Sequence, residues 1–224
     1  MNRPIRSYVL RQGRTTPAQK RALEELYPKY GIYFSSTPLS REAIFNRKAP
    51  LVLEIGSGMG ETTAEIAKAH PETDFIAVEV HGPGVGSLLN RIAAQGLGNL
   101  RVIRHDATEV LQHMIADGSL AALHLFFPDP WPKKRHHKRR LVQPPFVSLV
   151  KEKLSAGGVV HLATDWPDYA DQIASVFLKN SFFEETQNGF AQRPATKFAA
   201  RAKRLGNPIR DLYFRRRETA PTAR

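Results

Sequence analysis

From Leu51 onward, short runs of β-branched and apolar residues alternate with longer segments whose apolar residues recur at helical spacing. This alternation is typical of βαβ units, which build a parallel sheet. The pattern therefore predicts an α/β fold with seven strands. The predicted strands are Leu51–Ile55, Phe75–Val80, Leu100–His105, Ala121–Phe127, Val159–Thr164, Phe182–Thr186 and Ile209–Arg216. The clearest predicted helices are Thr62–His70, Val85–Gln95, Glu109–Ala116, Pro145–Leu154 and Pro167–Lys179.

The length of the chain limits it to one such domain with a short appendage, since 224 residues with 42% hydrophobic content supply one full core. Residues 1–45 are predicted to form a basic arm with one helical piece near Pro17–Leu26. Residues 46–217 are predicted to form the α/β domain, and residues 218–224 a tail.

The charge balance predicts an anionic partner, because 33 Lys and Arg face 21 Asp and Glu, a net charge of +12. The longest apolar stretch, around Ala121–Phe127, is too short to cross a bilayer, and no basic amphipathic helix is apparent, so nucleic acid is preferred over a membrane. The chain has no cysteine, which excludes disulfides, thiolate zinc sites and cysteine nucleophiles. The N-terminus has no secretory pattern, so a cytoplasmic location is expected.

A glycine-rich turn follows the first strand of this pattern, with Gly56, Gly58 and Gly60 at alternate positions. Glycines there allow positive φ and let a ligand approach the backbone. The spacing lacks the third glycine position of the dinucleotide fingerprint, which argues against a nicotinamide oxidoreductase. Glu54 stands just before the turn, where its carboxylate would repel a pyrophosphate but attract the ammonium group of an amino-acid-bearing nucleoside.

Two more acidic residues end the next two strands. Glu79 is placed to accept hydrogen bonds from ribose hydroxyls, and Asp106 from an adenine amino group. Either residue alone fits a helix N-cap or a solvated strand end equally well. Together with Glu54 they mark the carboxyl ends of three successive strands, which is where open α/β sheets bind ligands.

A rigid corner at Phe127–Trp131 is the most specific candidate for chemistry. Pro128 and Pro130 restrict the backbone on both sides of Asp129, and a basic run with no acidic residue follows from Lys133 to Arg140. This arrangement suits a polyanion whose reactive part is delivered to Asp129, although a solvated basic loop is the competing interpretation. The basic run contains adjacent histidines, which are poorly arranged for joint coordination of one metal ion, so phosphate contacts are predicted and a metal site is not.

Three further candidates each allow two interpretations. Asp165 precedes Trp166-Pro167 and is either the N-cap of the following helix or a substrate ligand. Trp131 either stacks on a base or packs against the end of the sheet. Thr196 and Lys197 lie in a long polar segment and either close over a substrate or begin a surface helix.

The chain resembles the S-adenosylmethionine-dependent methyltransferases, and specifically the tRNA (guanine-N7)-methyltransferase family. The resemblance covers nearly the whole chain, and its most specific part is the string from Phe126 to His136. The residues that carry it are Arg6-Ser7-Tyr8, Arg11-Gln12-Gly13-Arg14, Glu54–Gly60, Glu79-Val80-His81, Phe126–His136, Thr164-Asp165, Arg193-Pro194 and Thr196-Lys197-Phe198.

The resemblance implies a Rossmann-like, doubly wound class I methyltransferase fold with an antiparallel final strand. It implies transfer of a methyl group from S-adenosyl-L-methionine to N7 of a guanine in the variable loop of tRNA. The implied cofactor residues are Glu54, Gly56, Gly58, Glu79, Asp106 and Asp129. The implied substrate residues are Asp129, Lys133, Asp165, Thr196, Lys197, Phe198 and Ala199. The implied RNA contacts are Arg135, His136, His137, Lys138, Arg139 and Arg140. Whether the chain is a monomer or a homodimer stays open.

The implied reaction fits the residues. Guanine N7 carries a free lone pair and no proton, so methyl transfer to it needs no general base. The purine gains positive charge as the sulfonium loses it, and a fixed carboxylate such as Asp129 stabilises that charge. Asp129 is therefore predicted to be catalytic. A noncatalytic RNA-binding protein on a methyltransferase scaffold is the alternative, and Ala199 keeps it open, because family members usually carry Glu there.

The first prediction concerns Ala199. If a carboxylate at this position helps to offset the charge on guanine, the Ala199→Glu variant will methylate tRNA faster in a single turnover, with little change in the affinity for cofactor or tRNA. Rapid-quench measurements with enzyme in excess test this. A variant no faster than an already brisk parent chain would show that the carboxylate is dispensable.

Overall fold

The computed structural model describes residues 6–8, 13–191, 193–194 and 208–219. Within these ranges eight strands form a single sheet in the order β1-β4-β3-β2-β5-β6-β8-β7. The strands are β1 (Gly31–Ile32), β2 (Leu51–Ile55), β3 (Asp74–Val78), β4 (Leu100–Ile103), β5 (Leu120–Phe126), β6 (Leu154–Thr164), β7 (Phe183–Glu185) and β8 (Arg210–Arg216). All seven predicted strands are present.

Strand β1 is the one strand of the described chain that the sequence did not predict. It has only two residues and pairs in parallel with β4 at the edge of the sheet. Strand β8 runs antiparallel to both of its neighbours, β6 and β7, while the other pairs are parallel. The expected antiparallel final strand is thereby confirmed.

Helices cover both faces of this sheet, which is why β2 and β3 are buried at every position. The helices are α1 (Pro17–Glu25), α2 (Tyr27–Tyr30), α3 (Arg41–Phe45), α4 (Glu61–Ala69), α5 (Gly82–Gln95), α6 (Ala107–His113), α7 (Pro144–Lys153) and α8 (Pro167–Leu178), with a 3₁₀ helix at Lys134–Arg139. One core lies between the sheet and α6, α7 and α8. The other lies between the sheet and α1, α4 and α5.

Part of the predicted N-terminal arm packs on the domain. Helix α1 starts with a reciprocal capping box, in which Thr16 Oγ1 accepts from Gln19 N and the Gln19 side chain accepts from Thr16 N. A Cβ on Gly86 of α5 would lie 2.6 Å from the Gln19 carbonyl oxygen, so α1 and α5 are in backbone contact. The boundary at residue 45 stays a prediction.

The parallel strands β2 to β6 all leave the sheet at one edge, and the predicted acidic residues follow β3 and β4 there. Glu54 is the last but one residue of β2, and the corner directly follows β5. In the described part of the chain, no helix is long and apolar enough to cross a membrane.

Candidate active site

The glycine-rich turn between β2 and α4 depends on its glycines for two different reasons. Gly56, Gly58 and Gly60 have φ of 75°, 56° and 75°, a region that other residues adopt only with strain. A Cβ on Gly56 or Gly58 would meet no atom within 4 Å, whereas one on Gly60 would lie 2.6 Å from the Leu88 side chain. The first two glycines are therefore needed for backbone conformation and for an open approach, and Gly60 also for packing against α5.

Glu79 ties this turn to the end of β3. Its Oε2 accepts from the backbone N–H of Gly58 at 2.8 Å, and its Oε1 accepts from the N–H of His81 at 2.8 Å. The carboxylate is buried, yet each oxygen has a second lone pair. Glu79 can hold the turn and still accept from a pair of hydroxyls.

Glu54 is the most deeply buried carboxyl at this edge, with 4% of its surface exposed. Burial raises the pKa of Glu54 to about 7; the Thr63 hydroxyl opposes the rise and the Glu79 carboxylate adds to it. Together with Gly56–Thr62, Phe126 and Phe127 it lines a cavity of about 220 Å³, the loop cavity. A cation bound in the loop cavity would lower the pKa of Glu54 and so favour its ionised carboxylate.

A second cavity of about 240 Å³, the strand-end cavity, shares the lining residues Gly56, Phe126 and Phe127 with the loop cavity. Its acidic lining residues are Glu79, Asp106 and Asp129. Asp106 is also the N-cap of α6, because its Oδ1 accepts from Thr108 N at 2.8 Å. The cap and ligand interpretations of Asp106 are therefore compatible.

The corner contains two left-handed residues that are not glycine, Phe127 with φ of 51° and Trp131 with φ of 46°. Such conformations cost about 1 to 3 kcal/mol each and persist where the surroundings fix them. Phe127 N donates to the carbonyl of Ala163 at 2.7 Å. Trp131 Nε1 donates to the carbonyl of Ser7 at 3.1 Å, and the Arg139 guanidinium lies 3.8 Å from the ring centroid. These contacts favour the packing role for Trp131.

Asp129 itself is exposed between these two fixed residues. The sequence did not predict that residues 6–8 would lie beside it, but Ser7 and Tyr8 line the strand-end cavity. Arg139 fixes this segment by donating to the carbonyls of Arg6 and Tyr8. Burial raises the pKa of the Tyr8 hydroxyl, and the Asp106 carboxylate raises it further.

The basic run divides into solvated and buried side chains. Lys133, Lys134, Arg135 and Lys138 are exposed and make no ion pair with a described acidic residue. His136 and His137 are half-buried. No group of three His, Asp or Glu among the described residues could hold a metal ion.

Arg140 corrects the expectation of an RNA contact. Only 2% of its surface is exposed. Its guanidinium donates to the Pro130 carbonyl and to the side chains of Gln172 and Asp168, and Nη2 also contacts His137 Nε2, so its donors are already used within the protein.

For Asp165 the structure excludes one of the two interpretations, since this residue does not cap α8. The N-cap residue is Trp166, which makes no side-chain cap bond and donates its own N–H to Thr164 Oγ1. Asp165 is half-buried directly after β6, beside the strand that leads into the corner. Its role as a substrate ligand stays a prediction. Four other predicted substrate residues, Thr196, Lys197, Phe198 and Ala199, lie outside the described residues.

A cluster beside the corner was absent from the sequence predictions. Asp211 on β8 accepts from His161 Nε2 at 2.8 Å and from Arg193 Nε at 3.1 Å and Nη2 at 2.9 Å. Burial would raise the pKa of Asp211, but the bonds from His161 and Arg193 hold it at about 2. The Arg193 guanidinium lies 5.2 Å from the centroid of the Phe127 ring. The Arg193-Pro194 pair was visible in the sequence, but its partner lies 18 residues away.

The chain is similar in sequence to a described protein family and to several named proteins. A family model described as "Putative methyltransferase" matches residues 48–212. A tRNA (guanine-N(7)-)-methyltransferase of Nitrosomonas eutropha is 57% identical over 215 residues, 94% of this chain and 96% of that protein. The protein of the same description from Neisseria meningitidis serogroup B is 53% identical over 218 residues, 96% of this chain and 92% of that protein.

Solved structures are similar in fold at low sequence identity. The 16S rRNA methyltransferase KamB superimposes with a TM-score of 0.54 at 15% identity, covering 79% of this chain and 92% of that one. A 16S rRNA (adenine(1408)-N(1))-methyltransferase from Catenulisporales acidiphilia, solved with its cosubstrate SAM, gives a TM-score of 0.55 at 13% identity, covering 84% of this chain and 96% of that one.

The second prediction follows from the burial of Glu54. Its folded-state pKa of about 7 exceeds the ordinary value of 4.5, so the folded chain holds the proton more tightly between these values. The free energy of unfolding must therefore fall as pH rises through this window, by about 3 kcal/mol in total. Glu54→Gln removes the effect, so the variant should exceed the parent in stability most clearly at pH 8 and much less at pH 5.

Urea denaturation of the ligand-free protein at a series of pH values measures this difference. Glu65→Gln is the matched control, because Glu65 is exposed on α4. If the parent and Glu54→Gln lose stability in parallel from pH 5 to pH 8, Glu54 does not carry the buried proton.

Proposed function

The chain belongs to the tRNA (guanine-N(7)-)-methyltransferase family, and we propose that it transfers a methyl group from S-adenosyl-L-methionine to N7 of a guanine in the variable loop of tRNA. The observation that carries this proposal is identity above 50% with enzymes of that name over almost the full length of both chains. The same identity supports catalysis over the noncatalytic RNA-binding alternative. A cytoplasmic location is part of the proposal, because tRNA is the substrate.

The two cavities fit the polar groups of S-adenosyl-L-methionine. Its ammonium group matches Glu54 in the loop cavity, and its ribose hydroxyls and adenine amino group match Glu79 and Asp106 in the strand-end cavity. Gly56, which lines both cavities, and Gly58, which lines the loop cavity, present bare backbone to a ligand. The hydrogen-bond donors of the cofactor thus meet carboxylates that accept. Burial of the Glu54 carboxylate costs free energy, and a bound ammonium group offsets this desolvation cost.

When bound, S-adenosyl-L-methionine supplies an electrophilic methyl group on a sulfonium ion. The protein has to hold guanine so that N7 faces this methyl group, and it has to stabilise the positive charge that the purine gains. Asp129 suits both tasks, because it lines the strand-end cavity, projects from a fixed corner and is accessible to solvent. Lys133 and Asp165 flank it as proposed substrate contacts. Thr196, Lys197, Phe198 and Ala199 complete this proposal on the sequence resemblance alone.

The exposed members of the basic run are proposed to hold the RNA. Lys133, Lys134, Arg135 and Lys138 present their charges beside the corner, where a phosphate backbone would neutralise them. His136 and His137 remain candidates for further phosphate contacts, and Arg139 is proposed to act partly by holding residues 6–8.

The third prediction tests the reaction. Incubation of the protein with unmodified tRNA and S-adenosyl-L-methionine should yield 7-methylguanosine in the nuclease digest, detected by mass spectrometry. Asp129→Asn keeps the shape of the side chain and removes its charge, and should lower the single-turnover rate on the order of a hundredfold to a thousandfold. Asp117→Asn is the control, since Asp117 pairs with Lys153 next to the start of β5, at the opposite edge of the sheet.

Two results would contradict the assignment. RNA binding without any methylated guanine, at excess enzyme, would return the chain to the noncatalytic alternative. Equal rates for the Asp129→Asn variant and the parent would remove Asp129 from the chemistry.

The fourth prediction concerns the basic run. Lys134→Ala combined with Arg135→Ala should reduce the slope of log affinity for tRNA against log salt by about 1.4 to 1.8, because each phosphate contact contributes roughly 0.7 to 0.9. Filter binding at several salt concentrations measures the slope.

The matched control for this prediction is Lys68→Ala combined with Lys179→Ala. Both residues are exposed at the C-terminal ends of helices α4 and α8, away from the corner, and the double variant changes the net charge equally. Equal slopes for the two double variants would mean that only net charge matters and that the basic run is an ordinary solvated loop.

A further inference from the structure

Arg140 is a buried cation at the end of the basic run, and its contacts differ in kind from those of its neighbours. Nε donates to the Pro130 carbonyl at 2.8 Å, Nη1 to Gln172 Oε1 at 2.6 Å and Nη2 to Asp168 Oδ2 at 2.6 Å. The guanidinium also lies 4.8 Å from the centroid of the Tyr169 ring. A buried guanidinium is stable only when its donors are matched in this way. Arg140 therefore has a fixed place in the fold.

The Pro130 carbonyl is a critical acceptor because the corner has few backbone groups with which to hold itself. Pro128 and Pro130 have no N–H, so Asp129 carries the single backbone donor of the three-residue stretch. The residue after Pro130 is Trp131, whose left-handed φ of 46° requires support from its surroundings. Arg140 supplies a bond on the C-terminal side of Asp129, between the proline and the strained tryptophan.

On its other side Arg140 is bonded to helix α8, which is a rigid element. Asp168 and Gln172 lie one helical turn apart at the start of α8, and the next helical turns bury Ile173 and Phe177 completely. Two more bonds fasten the same region: Gln172 Nε2 donates to the Val142 carbonyl, and Val142 N donates to the Tyr169 hydroxyl. The corner is thus joined through one guanidinium to a helix anchored in the core.

We propose that Arg140 is a positioning residue, which fixes the Asp129 carboxylate against the strand-end cavity by clamping the Pro130 carbonyl to α8. This assignment rests on the proposed function in one respect, that Asp129 acts on guanine. Lysine cannot substitute, because an ammonium group is a compact point charge and does not span three acceptors in a planar fork. A misplaced carboxylate affects the chemical step, whereas a lost phosphate contact affects RNA binding.

The test is Arg140→Lys, which keeps the positive charge and removes the fork. The single-turnover methylation rate should fall on the order of tenfold to a hundredfold, since displacements of about 1 Å have effects of this size. The salt slope of tRNA binding should not change in a second variant, Arg140→Gln, which removes the charge that a phosphate contact would need. The matched control is Arg101→Lys: Arg101 is a half-buried arginine on β4 that donates to the carbonyls of Gly98, Leu100 and Ile44, remote from the corner.

A second readout is independent of activity. The chain has two tryptophans, so the Trp166→Phe background leaves Trp131 as the single fluorophore next to Pro130. In that background Arg140→Lys should increase acrylamide quenching of Trp131, and Arg101→Lys should not. If the parent chain fails to methylate tRNA, the proposed function falls, and increased quenching still supports the positioning role.

Two outcomes overturn the proposal. A salt slope lowered by about 0.7 to 0.9 in Arg140→Gln, with Trp131 quenching unchanged in both Arg140 variants, makes Arg140 a phosphate ligand. If Arg140→Lys shows the same Trp131 quenching and the same methylation rate as Arg101→Lys, Arg140 contributes only to general stability. Should Arg140→Lys not fold, Gln172→Met removes only the acceptor of Nη1 and the link to Val142, and unchanged Trp131 quenching in that variant also refutes the proposal.

Discussion

The carboxylate of Glu79 is the contact on which the site depends, because both of its oxygens are used to join the turn after β2 to the chain that follows β3. One oxygen holds Gly58 in the turn after β2, and the other holds His81 at the start of α5. The turn has three left-handed glycines and would otherwise sample many conformations. Gly58 lines the loop cavity and Glu79 lines the strand-end cavity, so one buried acid supports the walls of both.

The acidic residues of the site are grouped at this edge of the sheet, in a chain that is basic as a whole. The chain carries a net charge of +12, yet the edge of the sheet gathers Glu54, Glu79, Asp106 and Asp129. Burying the first of these costs stability, and its pKa of about 7 expresses that cost. A cationic ligand inside and a polyanion outside would each meet the opposite charge. The free protein thus carries a cost in stability at a residue proposed to bind the cofactor, as is common at functional sites.

The sequence predicted the elements whose pattern is local. Parallel strands covered on both faces are continuous apolar runs, so β2 and β5 were visible, and the acidic residues at the strand ends followed from them. Strand β1 was not visible, because two residues carry no periodicity. Arg140 was misassigned because its acceptors Asp168 and Gln172 lie 28 and 32 residues further along the chain. The start of α8 at Pro167 was predicted correctly, and of the two interpretations left open for Asp165 the cap is excluded, because the N-cap residue is Trp166.

The two strained aromatic residues of the corner explain why these non-local contacts cluster around Asp129. Phe127 lies under the guanidinium of Arg193, which is bonded to Asp211 on β8. Trp131 lies under that of Arg139, which is bonded to the carbonyls of Arg6 and Tyr8. Each left-handed residue is therefore held by a cation that also holds a second piece of chain. Backbone strain persists only where several surrounding contacts fix the residue. Movement of either of these two chain segments would therefore shift the Asp129 carboxylate, which lies between the two strained residues.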